Sequence, residues 1–214
     1  IEFSRTRPVE RGLYLDGNMM ILSNLAGQRE EVCQVDALQV KGVHNIENAM
    51  AAAAVAALAG CPMDAISQGL RAFRGLEHVM EVVRVLRGVA YINDSKGTNV
   101  DATIKALESV PAPVILIAGG REKGGEYPGL AEAVRRKAKR VILLGEARTR
   151  LREVLTGACL ITEAASLRDA VRDAANTAAA GDTVLLSPAC ASFDMFVDYK
   201  DRGRQFKESV HELG

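Results

Sequence analysis

The chain has 214 residues, 48% hydrophobic and 25% charged, a balance typical of a globular protein that excludes intrinsic disorder and fibrous repeats. Lys plus Arg and Asp plus Glu number 27 each, so the formal net charge is zero, which argues against a general nucleic-acid binder. The longest apolar run, residues 49–59, is alanine-rich and shorter than the ~18 residues of a membrane span. We therefore expect neither nucleic acid nor a membrane among the partners.

The four cysteines, Cys33, Cys61, Cys159 and Cys190, are widely spaced and form no CxxC pair. This usage indicates free, mostly buried thiols in a reducing cytoplasm. The sequence opens with Ile-Glu-Phe-Ser, without an initiator Met or a signal peptide. We expect a cytoplasmic piece of a longer protein that is monomeric.

The first 40 residues predict short β-segments, because turn residues at Gly12, 16–18 and 26–28 separate apolar pieces in a pattern typical of hairpins. Residues 45–58 are rich in alanine, the strongest helix former, and predict a helix. Residues 63–72 predict a second helix.

From residue 77 onwards, predicted strands alternate with predicted helices. The strands are 80–86, 89–92, 114–118, 141–144, 159–161 and 183–186, and the helices are 100–109, 130–138, 147–155, 167–179 and most of 195–213. This alternation predicts an α/β fold with a mostly parallel sheet. We therefore divide the chain into residues 1–76 and 77–214.

Three polar loops follow predicted strands and should meet at one edge of the sheet, where α/β proteins bind ligands. They are residues 93–99 (Asn-Asp-Ser-Lys-Gly-Thr-Asn), 119–125 (Gly-Gly-Arg-Glu-Lys-Gly-Gly) and 187–192 (Ser-Pro-Ala-Cys-Ala-Ser). Their lysines, hydroxyls and adjoining helix N-termini favour anions. The pattern predicts capture of carboxylate or phosphate groups, with Asp94 available for a ribose hydroxyl or a cation.

Each loop also has a purely structural interpretation. Asp94 and Ser95 could cap a helix, Gly119–Gly120 could be only a tight turn, and loop lysines are usually solvated. Cys190 is better explained by packing than by nucleophilic chemistry. No histidine lies in the loops, which argues against a hydrolase triad, and the Cys and His spacing predicts no zinc site. The occurrence of all three loops in one chain favours a ligand-binding site over these structural interpretations.

Residues 42–48 (Gly-Val-His-Asn-Ile-Glu-Asn) form a second candidate. Asn45 and Asn48 are three apart at a helix start, so both amides can face the same way. Asparagine can pair bidentately with an adenine edge. Capping of the helix by Asn45 is the structural alternative.

Together with residues 73–78 (Phe-Arg-Gly-Leu-Glu-His) and 185–194 (Leu-Leu-Ser-Pro-Ala-Cys-Ala-Ser-Phe-Asp), these segments resemble the Mur ligase family in the same order, across essentially the whole chain. The similarity is to the members that add D-glutamate. It implies a UDP-sugar domain, a central ATP-binding domain and a C-terminal Rossmann-like domain that binds the amino acid. Residues 1–76 would end the central domain, and residues 77–214 would form the C-terminal one.

The resemblance also implies roles for individual residues. Lys96 corresponds to a catalytic lysine near the phosphate. The implied ATP contacts are Asn45, Asn48, His78 and Asp94. The implied D-glutamate contacts are Thr98, Lys123, Ser192, Phe193 and Tyr199. Val79 departs from the family, which usually has an ATP-contacting arginine there.

The implied activity is ATP-dependent ligation of D-glutamate to UDP-N-acetylmuramoyl-L-alanine through an acyl phosphate, in peptidoglycan precursor synthesis. The family's Mg²⁺ ligands lie outside this sequence, so we expect no metal site here. The chain contains no G-x-x-x-x-G-K-[ST] phosphate loop, and we expect it to be inactive alone. There are two alternatives. One is another amino-acid ligase of the Mur and folylpolyglutamate synthetase superfamily, and the other is a non-catalytic Rossmann-like binding module.

Overall fold

The computed structural model describes residues 2–23, 28–40, 42–122, 124, 127 and 129–214, with the His44 side chain outside that description. The chain divides into two compact units, Ile1–Gly75 and Leu76–Gly214. Among the described residues, no helix is both long and apolar enough to cross a membrane.

The first unit contains a four-stranded sheet in the order β1 (Glu2–Ser4), β2 (Gly12–Asp16), β3 (Met19–Ser23) and β4 (Arg29–Gln34). Strand β3 is antiparallel to both β2 and β4, as expected of hairpins. Residues 26 and 27 of the predicted second turn lie outside the described residues. The turn between β2 and β3 uses Gly17, whose φ of +58° favours glycine. The hairpin prediction is wrong for β1, because that strand pairs in parallel with β2.

Two helices, α1 (Val43–Leu58) and α2 (Met63–Ala72), complete the first unit. Buried side chains of both helices pack with those of the sheet into one core, including Leu13, Met20, Val32, Met50 and Ile66. Helix α1 begins two residues earlier than predicted, after Gly42, so Asn45 lies within its first turn. The alternative that Asn45 caps the helix is therefore wrong.

The second unit is built on a six-stranded sheet in the order β5-β6-β10-β7-β8-β9. The strands are β5 (Glu81–Leu86), β6 (Val89–Asn93), β7 (Val114–Gly119), β8 (Ala138–Leu144), β9 (Leu160–Glu163) and β10 (Thr183–Leu186). Only the described pairing of β5 with β6 is antiparallel in this sheet. The predicted α/β fold with a mostly parallel sheet is confirmed.

Helices cover both faces of this sheet. They are α3 (Val100–Ser109), α4 (Leu130–Lys137), α5 (Arg148–Leu155), α6 (Leu167–Thr177) and α7 (Tyr199–His211). Leu116 packs in the core with α3, α4 and α5, whereas Ile115 and Ile117 pack in the core with α6 and α7. Since successive side chains of a strand alternate between faces, a strand covered on both faces is apolar throughout.

Strand β10 lies between β6 and β7, although it follows them by many residues in the chain. The loops after these three strands are therefore neighbours at one edge of the sheet. Backbone hydrogen bonds join them: Gly119 N donates to Pro188 O at 2.9 Å, and Ala189 N donates to Gly97 O at 3.0 Å. The sheet order thus assembles the three polar loops that the sequence singles out.

Candidate functional site

The loop after β6 is held by side chains that point into the protein. Asn93 and Ser95 are fully buried. Asn93 Oδ1 accepts a hydrogen bond from Ser95 N at 3.1 Å, and its Nδ2 lies 2.9 Å from His78 Nδ1. Because the backbone amide of Ser95 can only donate, the orientation of the Asn93 amide is determined. Hydrogen bonds of buried side chains therefore fix the conformation of this loop.

Asp94 is the charged member of the same network, with 6% of its surface exposed. Its Oδ2 accepts from Ser187 Oγ at 2.8 Å and its Oδ1 from Met80 N at 3.3 Å. Burial raises the pKa of Asp94 to about 6, because removal from water disfavours the charged form. A side chain at Gly97 would overlap Asp94, and its Cβ would lie 2.7 Å from Ser187 Oγ, which explains the glycine.

The capping interpretation of Asp94 and Ser95 is wrong. Helix α3 follows this loop, and its N-cap is Asn99, whose Oδ1 accepts from Ala102 N at 2.8 Å. Asp94 and Ser95 instead connect the β6 loop to neighbouring elements. Their burial supports a pre-formed site and not a simple helix start.

The loop after β10 approaches the β6 loop closely. Ser187 is buried and bonds both Asp94 and Thr103. Ala189 has a φ of +59°, a left-handed conformation that costs a residue with a Cβ about 1–2 kcal/mol. Burial raises the pKa of the Cys190 thiol, so this residue remains protonated and fits the packing role.

Arg202, in the first turn of α7, is not among the site residues predicted from the sequence, and only 1% of its surface is exposed. Its Nε donates to Ser95 Oγ at 2.9 Å and its Nη2 to Ser95 O at 2.7 Å, while Nη1 donates to Cys190 O at 3.3 Å. One guanidinium therefore joins the β6 and β10 loops. The signal was available: Arg202 is spaced four and eight residues from the buried Phe206 and Val210, on one helix face.

The loop after β7 is shaped by its glycines. Gly119 and Gly120 have φ values of +124° and +137°, and a Cβ on either would overlap a carbonyl oxygen, of Leu144 and Ala191 respectively. Arg121 forms a backbone bridge with Ala191 of the β10 loop. The two glycines thus permit close backbone approach as well as a turn. Lys123 lies outside the described residues.

The proposed amino-acid contacts of the second unit lie on these adjacent loops and at the start of α7. Lys96 is exposed and Thr98 is half-buried after β6. Ser192 is 3% exposed, whereas Phe193 is 63% exposed. Tyr199 accepts a hydrogen bond from Ser95 Oγ at its backbone carbonyl, at 2.7 Å. The fold therefore brings Lys96 together with four of the five implied D-glutamate contacts, since the fifth, Lys123, lies outside the described residues.

His78 is buried, with 3% of its surface exposed and a φ of +65°. His78 Nδ1 lies 2.9 Å from Asn93 Nδ2, and His78 Nε2 lies 3.8 Å from Glu77 Oε1. The ring stands edge-on to Tyr199, and a Cβ at Gly203 would overlap it. His78 is a packed residue that presents only a small surface. Asn45 and Asn48 lie on α1 of the first unit.

Glu77, His78 and Glu81 bring possible metal ligands within 4.8 Å of one another. Lys207 Nζ donates to Glu77 Oε1 at 2.9 Å and to Glu81 Oε1 at 2.7 Å. The lysine ammonium therefore supplies the cation that these carboxylates require, and its hydrogen bonds hold the pKa of Lys207 above its usual value. This cluster is an ion-pair network that does not fit a resident Mg²⁺, which prefers oxygen ligands in an octahedron.

Val79 is half-buried beside His78. Among nearby arginines, Arg84 lies in β5, and its Nη1 donates to Leu213 O at 2.9 Å and to Val210 O at 3.5 Å, at the end of α7. Arg84 is thus engaged with backbone carbonyls at the end of α7.

The second unit is a doubly covered, mostly parallel sheet with anion-favouring loops at its carboxyl edge, the arrangement of a nucleotide- or acid-binding α/β domain. Residues 80–190, more than half of the chain, match the family described as Mur ligase, glutamate ligase domain. The chain belongs to this family.

Curated relatives are similar along the whole chain. The UDP-N-acetylmuramoylalanine–D-glutamate ligase of Pelotomaculum thermopropionicum is 46% identical over 100% of this chain and 47% of its own length. The ligase of the same name from a Thermoanaerobacter species is 43% identical over 99% of this chain and 47% of its own length. The chain therefore spans about half the length of the curated relatives it matches.

Solved structures share the fold at low sequence identity. The UDP-N-acetylmuramate-alanine ligase of Thermotoga maritima has a TM-score of 0.66 at 16% identity, covering 99% of this chain and 48% of that one. The folylpolyglutamate synthase of Mycobacterium tuberculosis, complexed with ADP, has a TM-score of 0.63 at 17% identity, covering 89% of this chain and 44% of that one. At these identities the likeness shows the fold alone.

Proposed function

We propose that this chain forms part of an ATP-dependent ligase that joins D-glutamate to UDP-N-acetylmuramoyl-L-alanine, a step of peptidoglycan precursor synthesis. The observation that carries the proposal is the 46% identity, along the entire chain, to a protein of that name. The three adjoining loops support it, because they offer cations and hydroxyl donors to an anionic substrate.

D-Glutamate carries two carboxylates and one amine, so its site requires several donors and at least one cation. Lys96, Thr98 and Ser192 supply an ammonium and two hydroxyls from two adjacent loops. We assign Lys123 to the same site from the sequence. Phe193 and Tyr199 would contribute backbone groups. Hydrogen bonds to charged groups contribute about 1.5–3 kcal/mol each, enough for a few residues to define the specificity.

In the proposed reaction, ATP supplies the phosphoryl group that converts the alanine carboxylate of the UDP-sugar substrate into an acyl phosphate. The D-glutamate amine attacks the acyl carbon, the new C–N bond forms, and inorganic phosphate leaves. Lys96, a compact and exposed charge, is suited to stabilise the negative charge near the phosphate. The buried polar network beneath it holds the loop in place, which lowers the reorganisation required during reaction.

The family resemblance assigns ATP contacts within each unit, taken by itself. We assign the first unit to the C-terminal part of the central ATP-binding domain, with Asn45 and Asn48 near adenine. In the second unit, each Asp94 oxygen accepts one described protein hydrogen bond, so a further lone pair is available for a ribose hydroxyl. His78 would contribute through Nε2. The phosphate loop and Mg²⁺ ligands would belong to the part of the relatives' length that this chain does not span.

The four thiols are free in the structure, two buried, one half-buried and one, Cys61, exposed. Free thiols support the proposal that the protein acts in a reducing cytoplasm. The expectation that most of the thiols are buried is wrong, because only Cys33 and Cys190 of the four are buried.

The test uses the full-length protein that contains this sequence. Phosphate release is measured with ATP, UDP-N-acetylmuramoyl-L-alanine and one amino acid: D-glutamate, L-glutamate or L-lysine. We expect turnover with D-glutamate alone, with the amide product identified by mass spectrometry. Turnover with L-lysine and none with D-glutamate would contradict the proposed specificity. The 214-residue chain by itself should give no turnover, because it contains no phosphate-loop motif.

A further inference from the structure

Arg202 occupies an unusual position for an arginine: it is buried beneath the candidate site and its hydrogen bonds go to neutral oxygens of two loops. Those oxygens are Ser95 Oγ, Ser95 O and Cys190 O. Burial lowers the pKa of Arg202 to about 10, so the guanidinium remains charged at neutral pH. Asp94 and Asp194 attract it from a longer range and partly offset the desolvation.

Stability alone gives a weak reason for such a residue. A buried charge is costly to remove from water, and apolar side chains of similar volume often stabilise a core as well or better. A guanidinium, however, is a planar fork with fixed angles between its donors. It can therefore hold two separate backbone segments at a defined spacing, which an apolar side chain cannot do.

The two segments that Arg202 joins are those that carry the proposed D-glutamate contacts. Ser95 directly precedes Lys96, and Cys190 stands two residues before Ser192. Arg202 itself lies three residues after Tyr199, whose carbonyl accepts from Ser95 Oγ. A single side chain thus connects both loops and the start of α7.

We propose that Arg202 is a positioning residue for D-glutamate: it fixes the spacing between the loop of Lys96 and Thr98 and the loop of Ser192. This inference rests on the proposed function. Arg202 does not touch the substrate, and it acts through the backbone of the residues that do.

Arg84 provides a matched control, because it also donates to backbone carbonyls. Its partners, Val210 O and Leu213 O, lie at the opposite end of α7 from Arg202. Arg84→Lys and Arg202→Lys both keep the charge and both lose part of a guanidinium-to-carbonyl network. Only the second change disturbs the connection between the loops.

The experiment compares saturation curves for D-glutamate, ATP and the UDP-sugar in the full-length ligase. For Arg202→Lys we expect the KM for D-glutamate to rise at least about tenfold, as for the loss of one well-aligned charged hydrogen bond. The KM values for ATP and the UDP-sugar should change less than about twofold. Arg84→Lys should leave all three constants unchanged. Equal increases in the three constants, or an unchanged D-glutamate constant in Arg202→Lys, would overturn the proposal.

Ser95→Ala covers the case in which Arg202→Lys does not fold. It removes the hydroxyl that accepts from Arg202 Nε and leaves the guanidinium in place. We expect a selective, smaller rise in the KM for D-glutamate, and an unchanged constant would overturn the proposal. Wild-type enzyme without D-glutamate-dependent turnover would overturn the proposed function and this inference with it. Wild-type turnover with no selective effect in the variants would overturn this inference alone.

Discussion

The loops that surround the candidate site are held in two different ways. The β6 and β10 loops are joined by buried polar side chains, chiefly Asp94, Ser187 and Arg202. The β7 loop is held by close backbone contact at Gly119 and Gly120. The first arrangement depends on charge and therefore on pH, whereas the second depends on steric fit. The comparison shows that loops of a single site can be held in place by different means. Buried polar contacts hold the β6 and β10 loops, and the lack of side chains at two glycines lets the β7 loop pack closely.

The largest expected effect tests the steric side. Gly120→Ala places a Cβ against Ala191 O at a φ of +137°. Since backbone cannot move aside easily, we expect a loss of about 3–5 kcal/mol in the free energy of unfolding, measured by urea denaturation. Gly124→Ala is the control, because Gly124 also has a positive φ, +66°, but its Cβ would meet no atom of the described residues within 4 Å. It should lose only about 1–2 kcal/mol. Equal losses in the two variants would contradict the steric explanation.

The electrostatic side is tested by Asp94→Asn. Burial raises the pKa of Asp94 from 3.8 to about 6, so the folded protein holds this proton more tightly than the unfolded chain. Ionisation of Asp94 therefore lowers the free energy of unfolding as pH rises from about 4, the pKa of the unfolded chain, through about 6, the pKa of the folded protein. The free energy of unfolding of Asp94→Asn, measured by urea denaturation, should therefore increase relative to that of wild type by up to about 3 kcal/mol between pH 4 and pH 7.

Asp201→Asn gives the opposite sign for comparison. Hydrogen bonds from Val197 N and Gln205 lower the pKa of Asp201, so its ionised form stabilises the fold above the unfolded pKa. That stability is lost as pH falls. The free energy of unfolding of Asp201→Asn should therefore decrease relative to that of wild type as pH rises. A pH-independent difference between Asp94→Asn and wild type would show that the Asp94 carboxylate is not buried as described.

Substrate binding in the full-length enzyme tests whether the two kinds of loop serve one ligand. Ser192→Ala, on the β10 loop, and Lys123→Ala, on the β7 loop, should each raise the KM for D-glutamate by roughly 10–150-fold, the effect of losing a hydrogen bond to a charged group. The constant for the UDP-sugar should change little. If the KM for D-glutamate is unchanged in one of these variants, the corresponding loop does not contribute to the D-glutamate site.

The smallest expected effect lies outside both loops. Val79 has no charge to offer ATP, and Arg84 is engaged with the end of α7. Val79→Arg in the full-length enzyme should therefore lower the KM for ATP by up to about fivefold, as for an exposed ion pair. The constant for D-glutamate should remain the same. An ATP saturation curve that does not shift would show that this position does not contact the nucleotide.

Much of the fold was predictable because its signals are local. The predicted bounds of α2, α3 and β10 agree with the structure, since each is a helical or apolar run between clear terminating residues. The parallel β1 was not predictable from turn residues, because a parallel partner requires no hairpin. Asp94 and Ser95 were recognised as notable, but their buried hydrogen bonds depend on Ser187 and Arg202, which are about a hundred residues away.

The α/β class, the positions of the three polar loops and the family resemblance can be recognised from the sequence alone, because periodicity and short motifs are properties of neighbouring residues. The position of β10 between β6 and β7, and thus the contact between the loops, is evident only in the folded chain. The same is true of which polar residues face inwards: Asn93, Asp94, Ser95 and Arg202 are buried, while Lys96 is exposed. Strand order and burial arise from contacts between residues far apart in the chain, and a local pattern carries no information about which distant partners will be met.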